Sequence, residues 1–96
     1  MNLIIHDDAT TEFDEAFDYY ESVRPGFGDK FVDAVIHCTN RILTLPTMHQ
    51  VVVGMTRRAI VKGFPYCIYY QVIPGAVRIV SVFHTSRDPQ RWQSRI

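Results

Sequence analysis

The side chains best suited to chemistry in this sequence are cations interleaved with aromatic rings: Arg57, Arg58, Lys62, Arg78, His84 and Arg87 among Tyr66, Tyr69 and Tyr70. Guanidinium and ammonium groups grip phosphate or carboxylate oxygens and phenol rings stack on bases, so the set suits a polyanion or an acidic protein surface. Cleaving RNA asks for more: a base to take the 2′-hydroxyl proton, an acid for the leaving oxygen and cations for the charge that builds on phosphorus. His84 is the only histidine after His49, and an imidazole at a strand end serves equally well as a satisfied structural group. Two readings also exist for Arg87-Asp88-Pro89 followed by Trp92: a binding segment, or a C-terminal segment anchored by the ring folding back. The tyrosines are open to base stacking or to sheet packing.

Other chemistries leave no trace. There is no glycine-rich phosphate loop, no Cys/His metal pattern, no nucleophile elbow and no carboxylate pair at a strand end, so neither metal nor cofactor is expected. Cys38 and Cys67 are far apart in no ligand spacing and read as buried thiols.

The formal net charge of zero conceals a division along the chain. Up to Asn40, nine carboxylates against Arg24 and Lys30 leave −7; from Arg41 onward, eight cations against Asp88 alone leave +7. If the two halves form different layers, one surface attracts anions and the other repels them. Neutralisation across a shared interior is the opposing account, but exposed ion pairs contribute little.

Ninety-six residues that are 47% hydrophobic and 21% charged describe one small α+β domain spanning 1–96, too apolar for a disordered tail. No apolar run approaches the length of a membrane span, and no secretory leader precedes Asp7, so a cytoplasmic location is expected. Asn2 to Ile5 reads as a short strand. Asp7 or Asp8 then caps a helix whose apolar stripe is Ala9, Phe13, Ala16, Phe17, Tyr20 and Val23. Arg24-Pro25-Gly26-Phe27-Gly28 breaks it, and a second amphipathic helix runs to about Leu45, where Pro46 stops it. Beyond Pro46 the apolar period shortens to two over Val51 to Val53, Thr56 to Val61, Tyr66 to Ile73 and Val77 to His84, with short glycine- or proline-bearing connections. The expected fold is therefore an N-terminal strand and an antiparallel helix hairpin packed on one face of a mainly antiparallel sheet. The other face is left partly open for a partner. Alternation puts Arg58, Ile60 and Lys62 on one side of their strand, and sets Val77, Ile79, Ser81 and Phe83 against Arg78, Val80, Val82 and His84.

Taken in order, the helix pair ending in Leu45-Pro46, Arg57-Arg58, Phe64-Pro65-Tyr66 with Tyr69-Tyr70, and Val82-Phe83-His84-Thr85-Ser86-Arg87-Asp88-Pro89 with Trp92 resemble the RelE/ParE superfamily of toxin–antitoxin toxins, nearer its ParE-like, plasmid-stabilisation branch. The resemblance implies a bacterial toxin neutralised by a cognate antitoxin. RelE-like members cleave mRNA in the ribosome, some with an arginine and a C-terminal histidine–tyrosine pair. In this chain those positions fall near Cys67 and near Thr85 and Ser86, which cannot replace such groups. The zero net charge also suits a ribosome-dependent nuclease poorly. Both points favour the ParE-like mode, a non-enzymatic toxin that binds DNA gyrase. The alternatives are an mRNA endonuclease assisted by His84, or a nontoxic member that only binds antitoxin. Arg57, Arg58, Lys62, Tyr70, Arg78, His84, Arg87 and Trp92 are the candidate contact residues.

Overall fold

The computed structural model describes residues 1–96. Its elements are β1 (Asn2–Ile5), α1 (Asp7–Val23), α2 (Phe27–Thr44), β2 (Gln50–Val53), β3 (Thr56–Val61), β4 (Tyr66–Ile73), β5 (Ala76–His84) and α3 (Gln90–Gln93). The strands form one sheet in the order β1-β5-β4-β3-β2, antiparallel except for the β1–β5 pair at one edge. No helix is long and apolar enough to cross a membrane.

Helix α1 begins one residue earlier than its carboxylates suggest. His6 is still extended, its N–H bonded to the Ile79 carbonyl, and its Nδ1 accepts the Asp8 N–H at 3.0 Å. His6 is thus the cap in place of the expected Asp7 or Asp8, which instead sit in the first turn and favour the helix dipole. Ala9, Ala16 and Tyr20 of the stripe are buried, whereas Val23, in the last turn, is exposed.

The turn into α2 explains its glycines. Gly26 has φ +88°, a conformation that strains any residue with a Cβ, and offers no side chain to cap α2. Glu21 supplies the cap from the preceding helix, accepting the Gly26 and Gly28 N–H groups at 3.1 and 3.0 Å. A Cβ on Gly28 would lie 2.8 Å from the Phe17 ring, so the helices approach closely only because it is absent. Beneath them Tyr20 packs 4.9 Å from Phe64 and 5.2 Å from both Phe27 and Phe31. The contacts with Phe64 and Phe27 are edge-to-face, that with Phe31 tilted, and such pairs add to the area the rings bury.

The helix pair covers Ala59, Val61, Tyr66, Ile68, Tyr70, Val77, Ile79 and Val82. Here strict alternation along β5 fails. Tyr69 faces Ser81 but Tyr70 faces Ile79, so Val80 is an extra residue, a bulge that moves the following side chains to the opposite face. Val82 therefore joins Val77 and Ile79 under the helices, while Phe83 joins Val80 on the outer face.

That outer face is less open than expected. Trp92 folds back and stacks on Tyr69 at 4.1 Å, forming a second core with Cys67, Val80 and Phe83. The central strands are thus buried on both sides, and the open part of the outer face lies over β2 and β3.

One edge is closed by side chains. Strand β1 ends at Ile5, so beyond Ile79 β5 has no strand neighbour on that side. Glu12 takes over, accepting the Ser81 hydroxyl at 2.7 Å and the Val82 N–H at 3.3 Å, while Arg95 donates to the Val80 carbonyl at 3.1 Å and pairs with Glu12 at 2.9 Å. Glu12→Ala would strip a largely buried guanidinium of its closest carboxylate, leaving it the Val80 carbonyl and the more distant Asp8, and would leave two edge donors unpartnered; it is expected to lower stability by about 3 kcal/mol in urea unfolding. A shift below 0.5 kcal/mol would show that water replaces the carboxylate without penalty.

Candidate functional site

Strand β3 is the centre of the cationic surface. Ala59 and Val61 point into the helix-side core, so Arg58 and Ile60 must stand on the outer face, and Lys62 follows in the turn that ends β3. All three are exposed, and Ile60 is 61% accessible. The result is a strip of cation, aliphatic, cation on a layer that the C-terminal segment leaves bare. The contribution of Ile60 is easily missed in the sequence, where it reads as an ordinary strand aliphatic. Its outward direction becomes evident only once Ala59 and Val61 are known to be buried.

Helical acids do not neutralise the basic half. The ion pairs within 4.0 Å are both made by Arg95, to Asp8 at 3.6 Å and to Glu12 at 2.9 Å. Arg58 reaches the Gln50 amide oxygen at 3.3 Å. Arg57 points to the other face, donating to the Thr47 and His49 carbonyls at 3.0 and 2.7 Å, and Arg41 donates to the Ile60 carbonyl. Arg78 bonds the Arg95 carbonyl at 3.0 Å and helps hold the C-terminal segment. No carboxylate occurs between Asp33 and Asp88, so these cations have only neutral acceptors within their own stretch of chain.

The expected contact residues therefore divide. Arg58 and Lys62 share the open outer strip. Arg57, His84 and Arg87 are on the helix side or its rim, and Arg78 is committed to the C-terminal segment. Tyr70 and Trp92 are not surface groups: they are 0% and 2% exposed, the first as part of the helix-side core and the second as the keystone of the outer one. Burial is the reason in both cases, since a large ring releases most free energy when wholly removed from water.

Tyr70 also organises the loop leading into β2. Its hydroxyl proton goes to the Pro46 carbonyl at 2.6 Å, so the His49 Nδ1, 3.0 Å from the same oxygen, is the donor in the second contact. Burial pushes the His49 imidazole below its ordinary pKa near 6.5, and the Arg41 and Arg57 charges push the same way. The sign follows from proton uptake: below about pH 6.5 the unfolded chain protonates here while the folded chain resists. Stability from this group is complete above that pH and is lost as pH falls toward the folded value. Urea unfolding at neutral and mildly acidic pH should show a larger loss for the natural chain than for His49→Gln; equal slopes would mean that His49 titrates freely.

His84 borders a cleft of about 560 Å³ with Glu12, Glu15, Tyr19, Tyr66 and Arg87. Its ring lies 5.2 Å from that of Tyr66, and its Nδ1 accepts the Ser86 N–H at 3.1 Å and contacts the Ser86 hydroxyl at 2.8 Å. This nitrogen shapes the turn after β5. The two glutamates on the facing wall oppose a phosphodiester approaching the imidazole. Cys67, at the position where the RNA-cleaving pattern has its arginine, is buried, and desolvation raises its thiol pKa. No three His, Cys, Asp or Glu side chains come together in a way that could hold a metal ion.

A family model described as the ParE toxin of the type II toxin–antitoxin system parDE matches residues 3–89. The chain belongs to the ParE toxin family. The match runs from β1 through the turn after β5, and so includes the β3 strip and the His84 cleft. Among solved structures, the chromosomal ParDE toxin–antitoxin system from P. aeruginosa aligns with a TM-score of 0.79 over 90% of this chain and 97% of that one, at 16% identity. At that identity the likeness is one of fold: the N-terminal strand, helix hairpin and mostly antiparallel sheet are those of a ParE toxin. No curated protein matches the sequence. Membership in a type II toxin–antitoxin family implies a cognate antitoxin as partner.

Proposed function

We propose that this ParE-family chain is a toxin that acts by binding DNA gyrase in the bacterial cytoplasm, not by cutting nucleic acid, and that its antitoxin neutralises it by covering the binding surface. The observation that carries the reading is the exposed Arg58–Ile60–Lys62 strip, whose charges have no carboxylate partner. Two cations flanking an aliphatic side chain, on a strand and the turn that ends it, present charge and apolar area together, the combination that gives a protein interface both orientation and affinity. Arg87 stands apart on the rim of the His84 cleft, able to extend the contact from the other side of β5.

Support against an RNA-cleaving role comes from the same geometry. The imidazole of His84 is engaged by Ser86 and faces glutamates, and Thr85 and Ser86 have hydroxyls that are poor proton carriers near neutral pH. The test is a gyrase supercoiling assay with the purified chain, beside primer-extension mapping of message breaks in a translating extract. Inhibited supercoiling with intact messages is the expected result. Translation-dependent breaks with unaffected gyrase would reverse the reading, and neither effect would mark a member that only binds antitoxin.

A further inference from the structure

The sheet ends in β2, a four-residue strand of sequence Gln-Val-Val-Val with no strand on its far side. Edge strands are ordinarily guarded by charged side chains, proline or a covering element. This one has only its shortness and an irregular register between Val51 and Val53. Val51 and Val53 are 47% and 36% exposed, with Met48 and Met55 exposed beside them.

What distinguishes this edge is the charge on its two faces. On the outer face Arg58 extends from β3 across to Gln50 of β2, 3.3 Å from its amide oxygen. On the opposite face Arg57 reaches past β2 to the carbonyls of Thr47 and His49. Each guanidinium is thus brought toward the open edge, and each has only neutral acceptors. The side chains of an added strand would alternate between the same two faces, so a carboxylate in either row would meet an arginine and form a charge-assisted hydrogen bond. A second copy of the chain would bring the same two arginines into opposition, and like charges across such a contact are unfavourable.

We infer that β2 is a docking edge for an extended, acidic segment of another protein, which adds as a sixth strand with carboxylates in the outer row toward Arg58 and aliphatic side chains in the other row against Val51. Backbone pairing supplies affinity in this mode and the side-chain rows supply selectivity. The inference is independent of the gyrase reading, because strand addition can succeed or fail whatever the target.

The probe is the capped peptide Glu-Val-Asp-Val-Glu-Val-Asp, titrated into the full chain and followed by backbone amide NMR. Amide shifts confined to Gln50–Val53 and the adjoining β3 are expected. Arg58→Glu should weaken binding about tenfold or more while leaving the spectrum otherwise native, and a peptide with lysine at every acidic position should not bind. The inference is overturned if the acidic peptide fails to bind, shifts β1 or the helices instead, or binds no better than its lysine counterpart. Concentration-dependent broadening of β2 without peptide would assign the edge to self-association and overturn it equally.

Discussion

Trp92→Ala is expected to lower the unfolding free energy by about 3–5 kcal/mol, the range for removing a large buried aromatic ring. At about 4–8 °C per kcal/mol for a domain of this size, the thermal midpoint should fall by roughly 12–40 °C. The ring is 2% exposed and stacks on Tyr69, and the segment carrying it also supplies Arg95, which closes the β5 edge with Glu12. Losing the ring therefore frees two anchors. Trp92→Phe should be much milder, because the buried Trp92 Nε1 has no hydrogen-bond partner and its removal relieves a penalty of about 1–3 kcal/mol. Thermal melts of the three proteins check both statements. A midpoint within 5 °C of the natural chain for Trp92→Ala would mean that the C-terminal segment contributes little to the outer core.

The second large effect concerns activity with the fold left intact. Reversing both exposed cations, Arg58→Glu with Lys62→Glu, should leave the thermal midpoint nearly unchanged, since exposed substitutions without special contacts usually shift stability by under about 0.5 kcal/mol. Growth inhibition on induction should nevertheless disappear. Like-charge contact at a complementary interface is unfavourable by several kcal/mol, and each 1.4 kcal/mol is about tenfold in affinity, so target binding should weaken about 100-fold or more. Full toxicity in the double variant would show that the strip does not contact the target. Loss of toxicity together with loss of soluble protein would show that the pair is structural.

The elements were readable because their periods differ cleanly. Three- and four-residue spacing of Ala9, Phe13, Ala16 and Tyr20, then alternation from Thr56 onward, gave the order of helices and strands, and the acid-free stretch before Asp88 gave the charge division. What stayed hidden depends on contacts distant in sequence. The bulge at Val80 cannot be seen in β5 alone, because it exists only relative to the β4 register. Glu12 reads as one more acid on a solvated helix face, yet it completes a sheet edge with Arg95. Alternation separates Tyr70 from its neighbour Tyr69, but that each face carries a core of its own shows only when Trp92 folds back over Tyr69. Among the candidate contacts, Arg58 lies on the face where alternation placed it, while Lys62 lies in the turn beyond the strand; Arg57 and Arg78 are turned to backbone carbonyls that no local pattern announces.

Binding of the target through the exposed cations Arg58 and Lys62 is the property to measure. The most direct measurement is the concentration of purified protein that half-inhibits supercoiling by gyrase, for the natural chain, for Arg58→Ala with Lys62→Ala, and for Lys30→Ala, whose cation lies on α2. A rise of about tenfold or more for the Arg58 and Lys62 pair, with Lys30→Ala unchanged and all three equally folded, is the predicted result. Equal inhibition by all three proteins, or none by any of them while messages are cut, would contradict it.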